Sequence, residues 1–149
     1  MPTRYRFPNE VGIEDVSLKV TTANNGNVLD VRDAFAFTAI VDITETGSPA
    51  NGAADLIVSI FPDNDSTSTA LTTHTIASGI DIQTNGEKAT ISWGHGLSAA
   101  AIGTGTNPTI SSTDAVLANA RFIRLNLQAS TANDGTTCTG SVTLITEEV

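Results

Sequence analysis

Apolar and polar residues alternate along most of this chain with a period of two, which is the spacing of a β-strand that has one buried face. The stretch AFAFTAIVDIT, residues 34–44, has apolar residues at its odd positions and threonine or aspartate at several even ones. The run RFIRLNLQAS, which begins at Arg121, repeats the alternation. The inward positions predicted in this way are Phe35, Phe37, Ala39, Val41, Ile43, His74, Ile76, Ile80, Ile82, Ile91, Trp93, Ile123, Leu125, Leu127, Ala129, Cys138, Val142 and Leu144.

Three segments depart from simple alternation. The run ADLIVSIFP, which begins at Ala54, is apolar at both parities and predicts a central strand covered on both faces. Asn133-Asp134-Gly135 separates the last two alternating runs, and this turn chemistry predicts that they form a β-hairpin. The turn-rich span from Gly94 to Ser112 predicts a long loop, and loops of that length are usually functional.

These runs predict about eight strands, with weaker ones near 16–22 and 28–31. Helix is expected at most once, over 112–118, where a hydroxyl N-cap precedes good helix formers. Strands without βαβ alternation predict an all-β, single-domain, two-sheet sandwich of jelly-roll type, with an immunoglobulin-like sandwich as the nearest alternative. A chain of 149 residues suits one domain. We assign residues 1–10 to an N-terminal arm and 11–149 to the sandwich domain.

Composition narrows the class of partner. The chain has 16 acidic and 7 basic residues and a formal net charge of -9, which opposes binding to a phosphate backbone. No stretch approaches the apolar length of a membrane span, and the N-terminus lacks a secretory signal pattern. A single cysteine, Cys138, is compatible with a reducing compartment. We therefore expect no nucleic acid, no membrane, and synthesis in the cytoplasm.

Candidate chemistry is sparse. Asp63 and Asp65 form an acidic turn, with a bound cation as the alternative. His74 and His95 show no metal-ligand spacing, and Cys138 shares a face with apolar residues, as a small buried side chain would. No nucleophile, base and orienting group can be named together, so we expect no enzyme, no cofactor and no metal.

The first seven residues, MPTRYRF, differ from the acidic remainder of the chain. Arg4, Tyr5, Arg6 and Phe7 are of the types enriched at protein interfaces, because they combine contact area with directed hydrogen bonds. A frayed terminus is the simpler interpretation. The alternative, which we adopt as a prediction, is that these four residues contact an acidic partner.

Three segments carry a resemblance to a known family. The strand AFAFTAIVDIT, the strand and turn AADLIVSIFPDNDS, and the closing ARFIRLNLQASTANDGTTCTGSVTLI resemble the jelly-roll capsid decoration (cement) proteins of tailed bacteriophages. The resemblance implies a small non-enzymatic homotrimer that is assembled in the host cytoplasm. It also implies a place on the capsid exterior of the virion, between major capsid protein subunits, with the N-terminal arm and loop tips as contacts.

Two other functions stay open at this point. A carbohydrate-binding jelly-roll module of a phage fibre or cell-surface protein would need exposed aromatic side chains, for which Trp93 and Tyr5 are the candidates. Another structural virion part, such as a coat or tail component, is the third possibility.

Overall fold

The fold is taken from a computed structural model, which describes residues 3–7, 16–18, 25–46, 52–65, 67–82, 86–94, 97–105, 107–110, 120–131 and 137–148. Within these ranges the chain forms eleven β-strands and no helix. They are β1 (Thr3–Phe7), β2 (Val16–Ser17), β3 (Asn25–Asp30), β4 (Ala34–Thr46), β5 (Ala53–Phe61), β6 (Thr72–Asp81), β7 (Lys88–Gly94), β8 (Leu97–Gly103), β9 (Thr109–Ile110), β10 (Phe122–Thr131) and β11 (Thr137–Glu148).

Two features predicted from the sequence lie outside the described residues, namely the helix at 112–118 and the turn at 133–135. In the part of the chain that is described, no helical segment has the length and apolar character needed to cross a membrane.

The pairing of the strands identifies a jelly roll. One sheet, sheet A, has the order β1-β11-β4-β7-β8 with β2 also beside β11, and sheet B has the order β3-β10-β5-β6-β9. Eight strands form four antiparallel pairs, β1·β11, β3·β10, β4·β7 and β5·β6. In chain order, the first four of these strands pair with the last four in reverse order. This nesting is that of a long antiparallel ribbon rolled into two sheets. The predicted two-sheet sandwich is confirmed, and β2, β8 and β9 add to its eight strands.

Alternation places the core correctly in most strands. In β5, which lies in the middle of sheet B, the even positions from Ala54 to Ile60 are buried. The other face of β5 is covered only towards its end, at Ser59 and Phe61, while Ile57 is half-buried. The prediction of a central strand is confirmed, and coverage of both faces holds for its second half.

One predicted inward residue is wrong. Phe35 is 42% exposed, whereas the other odd positions of the strand from Phe37 to Ile43 are buried. The register of β4 against β11 shifts here, because Ala36 lies opposite Glu147 and Ala34 lies opposite the next residue of β11. A β-bulge inserts an extra residue on one strand and reverses its parity, which turns Phe35 outward.

The last two strands do not form the predicted hairpin. β10 pairs with β3 and β5 in sheet B, while β11 pairs with β1 and β4 in sheet A. Their apolar faces meet across the core instead, and a Cβ atom on Gly140 would lie 2.6 Å from Leu127 Cδ2. A larger residue here would force the buried side chains of Leu127 and Leu18 to shift. Alternation shows only which face of a strand is buried. The same residues are buried whether two strands pair within one sheet or pack across the sandwich, so alternation cannot distinguish the two arrangements.

The predicted loop from Gly94 to Ser112 is also wrong in part, because it contains β8 and β9. The sequence of β8, LSAAAIG, is rich in alanine, which has little β propensity and gives little contrast between inner and outer positions. Ala99 and Ala101 pack against the core, whereas Ile102 is 64% exposed.

Candidate interface at one end of the sandwich

Three segments of sheet B meet at one end of the sandwich. Phe122, the first residue of β10, lies between Asp30, the last of β3, and Phe61, the last of β5. The amide of Val31 donates to the carbonyl oxygen of Arg121 at 2.7 Å, and the amide of Ala34 donates to that of Val31 at 3.0 Å. The tight turn after β3 therefore holds the start of β4 at the same end, which we call the arginine end.

Three arginines at the arginine end lie close to Asp30 or to one of two aromatic rings, and the Asp33 carboxylate adds to the effect of Asp30 in raising the pKa of Arg32. We define the arginine cluster as Arg32, Arg121, Arg124, Asp30, Phe61 and Phe122. The Arg32 guanidinium forms an ion pair with Asp30, in which Nε donates to both carboxylate oxygens at 3.0 Å. Nε of Arg121 lies 4.0 Å from Asp30 Oδ1. The side chains of Arg32 and Arg121 are both about half exposed, so each still presents N–H donors to solvent.

Two of the arginines also lie over aromatic rings. Cζ of Arg121 is 4.7 Å from the ring centroid of Phe122, and Cζ of Arg124 is 4.5 Å from that of Phe61. A guanidinium at this distance is attracted by the negative face of the ring. Phe61 is only 3% exposed although it lies on the outer face of sheet B. Arg124 thus covers an aromatic side chain as well as presenting a charge.

The electrostatics keep the cluster charged. Hydrogen bonds from Arg32 hold the pKa of Asp30 below its ordinary value, and Asp30 in turn raises the pKa of Arg32. The cluster contains three of the seven basic residues of a chain whose net charge is -9. Asp33 beside Arg32 and the acidic loop after β5 lie at the same end, so an acidic partner would be bound by the N–H donors of the half-exposed guanidinium groups and not by a net positive charge of this end.

The acidic loop after β5 lies at the same end and is closed by its own hydrogen bonds. Asp63 Oδ1 accepts from the amide of Asp65 at 3.0 Å and from Ser68 Oγ at 2.8 Å. Asp65 Oδ1 accepts from Thr67 N and Thr67 Oγ1, which lowers the pKa of Asp65. These bonds are those of an ordinary acidic turn. No group of three or more His, Cys, Asp or Glu side chains positioned for a metal occurs in the described ranges.

The segment predicted to contact a partner lies at an edge of sheet A. Residues 3–7 form β1, and the register places Arg4 opposite Ile145 and Phe7 opposite Val142 on β11. Tyr5 and Arg6 lie between them, opposite Leu144 and Thr143. Part of the segment assigned to an N-terminal arm is therefore an edge strand.

The cysteine, tryptophan and histidine candidates that the structure describes are buried or half-buried. Cys138 is buried, as predicted, and its Sγ donates to the carbonyl oxygen of Ile82 at 3.4 Å. Trp93 is also buried and stacks on Phe37 with ring centroids 5.3 Å apart. The suggestion that Trp93 is an exposed ring for sugar stacking is therefore wrong, because its strand alternation takes it into the core. His74 is half-buried with Nε2 3.1 Å from Thr72 Oγ1, and His95 lies outside the described residues.

Sequence reasoning missed the arginine cluster. Arg32 belongs to a turn and Arg121 and Arg124 to a strand far along the chain, and only the pairing of β3 with β10 brings them together. One signal was present, because Arg124 stands at a polar parity of an alternating strand and so had to lie on the outer face.

Comparisons with known proteins concern the fold. No protein-family model matches the sequence, and no curated protein matches it. Among solved structures, the chain is similar to the VP2 subviral particle of infectious bursal disease virus, with a TM-score of 0.42 and 11% identity. It is also similar to the structure of the Gx strain of that virus, with a TM-score of 0.42 and 13% identity. Each match covers 99% of this chain and 33% of the other, so the chain spans about a third of their length.

Proposed function

We propose that this protein is a structural virion component that binds the outer surface of a bacteriophage capsid and stabilises it by bridging major capsid protein subunits. The arginine cluster carries the proposal, because it presents half-exposed guanidinium groups on an acidic jelly roll. The fold suits this function, and so does the resemblance of the strands and turns to capsid decoration proteins. In this proposal the protein assembles in the host cytoplasm and has no catalytic role and no cofactor.

The cluster is suited to binding because its arginines are already positioned. Phe122 and Asp30 hold Arg121, and Asp30 holds Arg32. Less side-chain entropy is then lost when a carboxylate of the partner accepts hydrogen bonds from these guanidinium groups. A protein that binds the assembled shell more tightly than separate subunits stabilises the shell by mass action. Contacts with two neighbouring subunits at once increase that effect.

The central test is co-sedimentation of the purified protein with capsids of the phage. Arg121→Ala removes a guanidinium from the cluster and should lower the capsid affinity roughly tenfold, as loss of an interface arginine commonly does. Lys88→Ala is the matched control, since it also removes one exposed charge but from the ion pair with Asp42 on β4 and β7. Equal losses in the two variants, or no sedimentation of the wild type with capsids, would contradict the proposal.

The predicted contacts Arg4, Tyr5, Arg6 and Phe7 need a different test. Deleting residues 1–8 would also remove β1 from its pairing with β11, so lost binding could reflect a damaged sheet. The double variant Arg4→Ala, Arg6→Ala leaves the backbone in place and should reduce capsid occupancy without changing the melting temperature. Unchanged occupancy would mean that β1 does not contact the capsid and that the arginine cluster alone is the docking surface.

The carbohydrate-binding alternative loses Trp93, one of its two candidate rings. It needs an exposed ring for stacking on a sugar, and Trp93 is buried against Phe37.

A further inference from the structure

The sandwich protects its sheet edges unequally. Sheet B ends at β9, which has only two residues, and at β3, where the register against β10 breaks between Arg124 and Asn126. One edge of sheet A carries β1 with two arginines beside the two-residue β2. Short strands, charges and irregular register are the devices that prevent an edge from pairing with another chain. The remaining edge strand in the described ranges is β8, whose seven residues, LSAAAIG, contain no charge and no proline. Its register against β7 shifts only near its start, beyond Ala100, and is regular from Ala100 to Gly103.

The register shows which backbone groups β8 presents at its outer side. The amide of Thr104 donates to the carbonyl oxygen of Lys88 at 2.9 Å, and hydrogen-bonded positions alternate along an antiparallel pair. Residues 100 and 102 therefore bond to β7, while Ala101 directs its N–H and C=O groups away from it; the register shifts beyond Ala100, so the alternation extends only to that residue. The amide of Gly103 points the same way and donates to Asn107 Oδ1 at 3.1 Å. The Asn107 side chain thus occupies the outward amide of Gly103, and no further strand can bond to that amide.

We propose that β8 pairs antiparallel with β8 of a second copy of this chain, which joins the two A sheets into one continuous sheet across a two-fold axis. Such a contact uses the same strand on both copies, so it is self-complementary. Two copies with a net charge of -9 repel each other over most of their surface, and β8 offers them an uncharged strand. Its alanines allow close approach, and the Ile102 side chain, 64% exposed, adds apolar area.

This inference goes beyond capsid binding and does not rest on it. Pairing through β8 leaves the arginine cluster exposed, because the cluster is built on β3, β5 and β10 of the other sheet and on the turn after β3. A two-fold contact produces dimers, whereas the resemblance to decoration proteins implies a homotrimer. The mass of the protein in solution separates these assemblies, and it is measured without capsids.

The test is sedimentation equilibrium over a range of protein concentrations. Wild type should form a reversible dimer. Ile102→Lys places a charge beside the edge, and Ala101→Pro removes an outward N–H that β7 does not use. Each should raise the dimer dissociation constant by roughly tenfold or more. Leu71→Lys is the matched control, since Leu71 is 68% exposed in the loop before β6, and it should leave the constant unchanged.

Hydrogen exchange gives a second readout of the same contact. The amide of Ala101 should exchange more slowly as the protein concentration rises, and this protection should disappear in Ile102→Lys. A wild-type protein that stays monomeric or forms only trimers overturns the inference. So do variants that keep the wild-type melting temperature and still dimerise like wild type.

Discussion

Two carboxylates at opposite ends of the sandwich have opposite surroundings. Glu87, in the turn before β7, is 2% exposed and accepts from Thr104 Oγ1 at 2.6 Å and from the amide of Gly105 at 3.1 Å. Asp30, at the arginine end, is partly exposed and is bonded to an arginine side chain that is itself half exposed. The first carboxylate is itself buried and is held by neutral donors, whereas the second is partly exposed and is held by cations that solvent can reach.

The difference separates structural polar groups from groups available to a partner. The Glu87 carboxylate is buried and depends on these protein donors, so the folded state should lose stability when the hydrogen bonds to it are removed. The guanidinium groups around Asp30 can turn to water or to an incoming acidic group at little cost. We therefore expect substitutions near Glu87 to change the free energy of unfolding, and substitutions in the arginine cluster to change binding more than stability.

The largest effect is expected for Glu87→Ala. It removes the hydrogen bonds that the Thr104 hydroxyl and the Gly105 amide donate to a buried carboxylate and should lower the free energy of unfolding by about 2–3 kcal/mol, since hydrogen bonds to charged groups are the stronger ones. Denaturant unfolding with both fluorescence and circular dichroism measures this loss. Glu87→Gln keeps one acceptor oxygen in the same place and should cost less. If Glu87→Ala were no worse than Asp42→Ala, which removes one member of an exposed ion pair, the contrast between the two ends would fail.

An intermediate effect is expected for Arg124→Ala. The substitution uncovers Phe61, which is 3% exposed, and removes the guanidinium from its ring. Cation–π attraction and the packing of the arginine stem should together account for about 1–2 kcal/mol of the free energy of unfolding. Arg124→Met keeps most of the apolar cover without the charge, so its loss would measure the share due to the charge, and the difference between the two variants would measure the share due to packing. Equal losses in the two variants would assign the whole effect to the charge.

The sequence predicted buried faces well because burial of one face is a local property of a strand. Trp93, Leu125 and Val142 all occupy the inward positions that alternation assigned to them. Parity failed at Phe35, where the extra residue of a bulge depends on the neighbouring strand and leaves no mark in the local pattern. The fold class followed from the number of strands and their turns.

Strand partners and the arginine cluster could not be predicted in the same way. The apolar faces of β10 and β11 are compatible with a hairpin and with a contact across the core. Which of the two forms depends on the strand pairing of the whole jelly roll, and here it is the contact across the core. The ion pair of Arg32 with Asp30 is local, but Arg121 joins it through a contact between distant segments. The residue types at the N-terminus are enough to suggest a contact segment. A surface assembled from separate strands can be predicted only when the register of those strands is known.

The smallest effect is expected for Asp30→Asn, and its pH dependence identifies its origin. Arg32 lowers the pKa of Asp30 in the folded protein. The ion pair therefore contributes stability above the unfolded value, near 3.8, and the contribution is lost as the pH falls through the lower folded value. Wild type should exceed Asp30→Asn by less than about 1 kcal/mol at neutral pH, because the pair is exposed to solvent.

Thermal unfolding of both proteins from neutral pH to below pH 3 measures that difference. The two curves should converge as the carboxyl of Asp30 is protonated, and added salt should narrow the gap at neutral pH because it screens an exposed pair. A gap that persists in acid would mean that the asparagine disturbs the turn after β3 instead of removing a charge. A large, salt-independent gap would place Asp30 with Glu87 as a structural carboxylate and leave the two ends of the molecule alike.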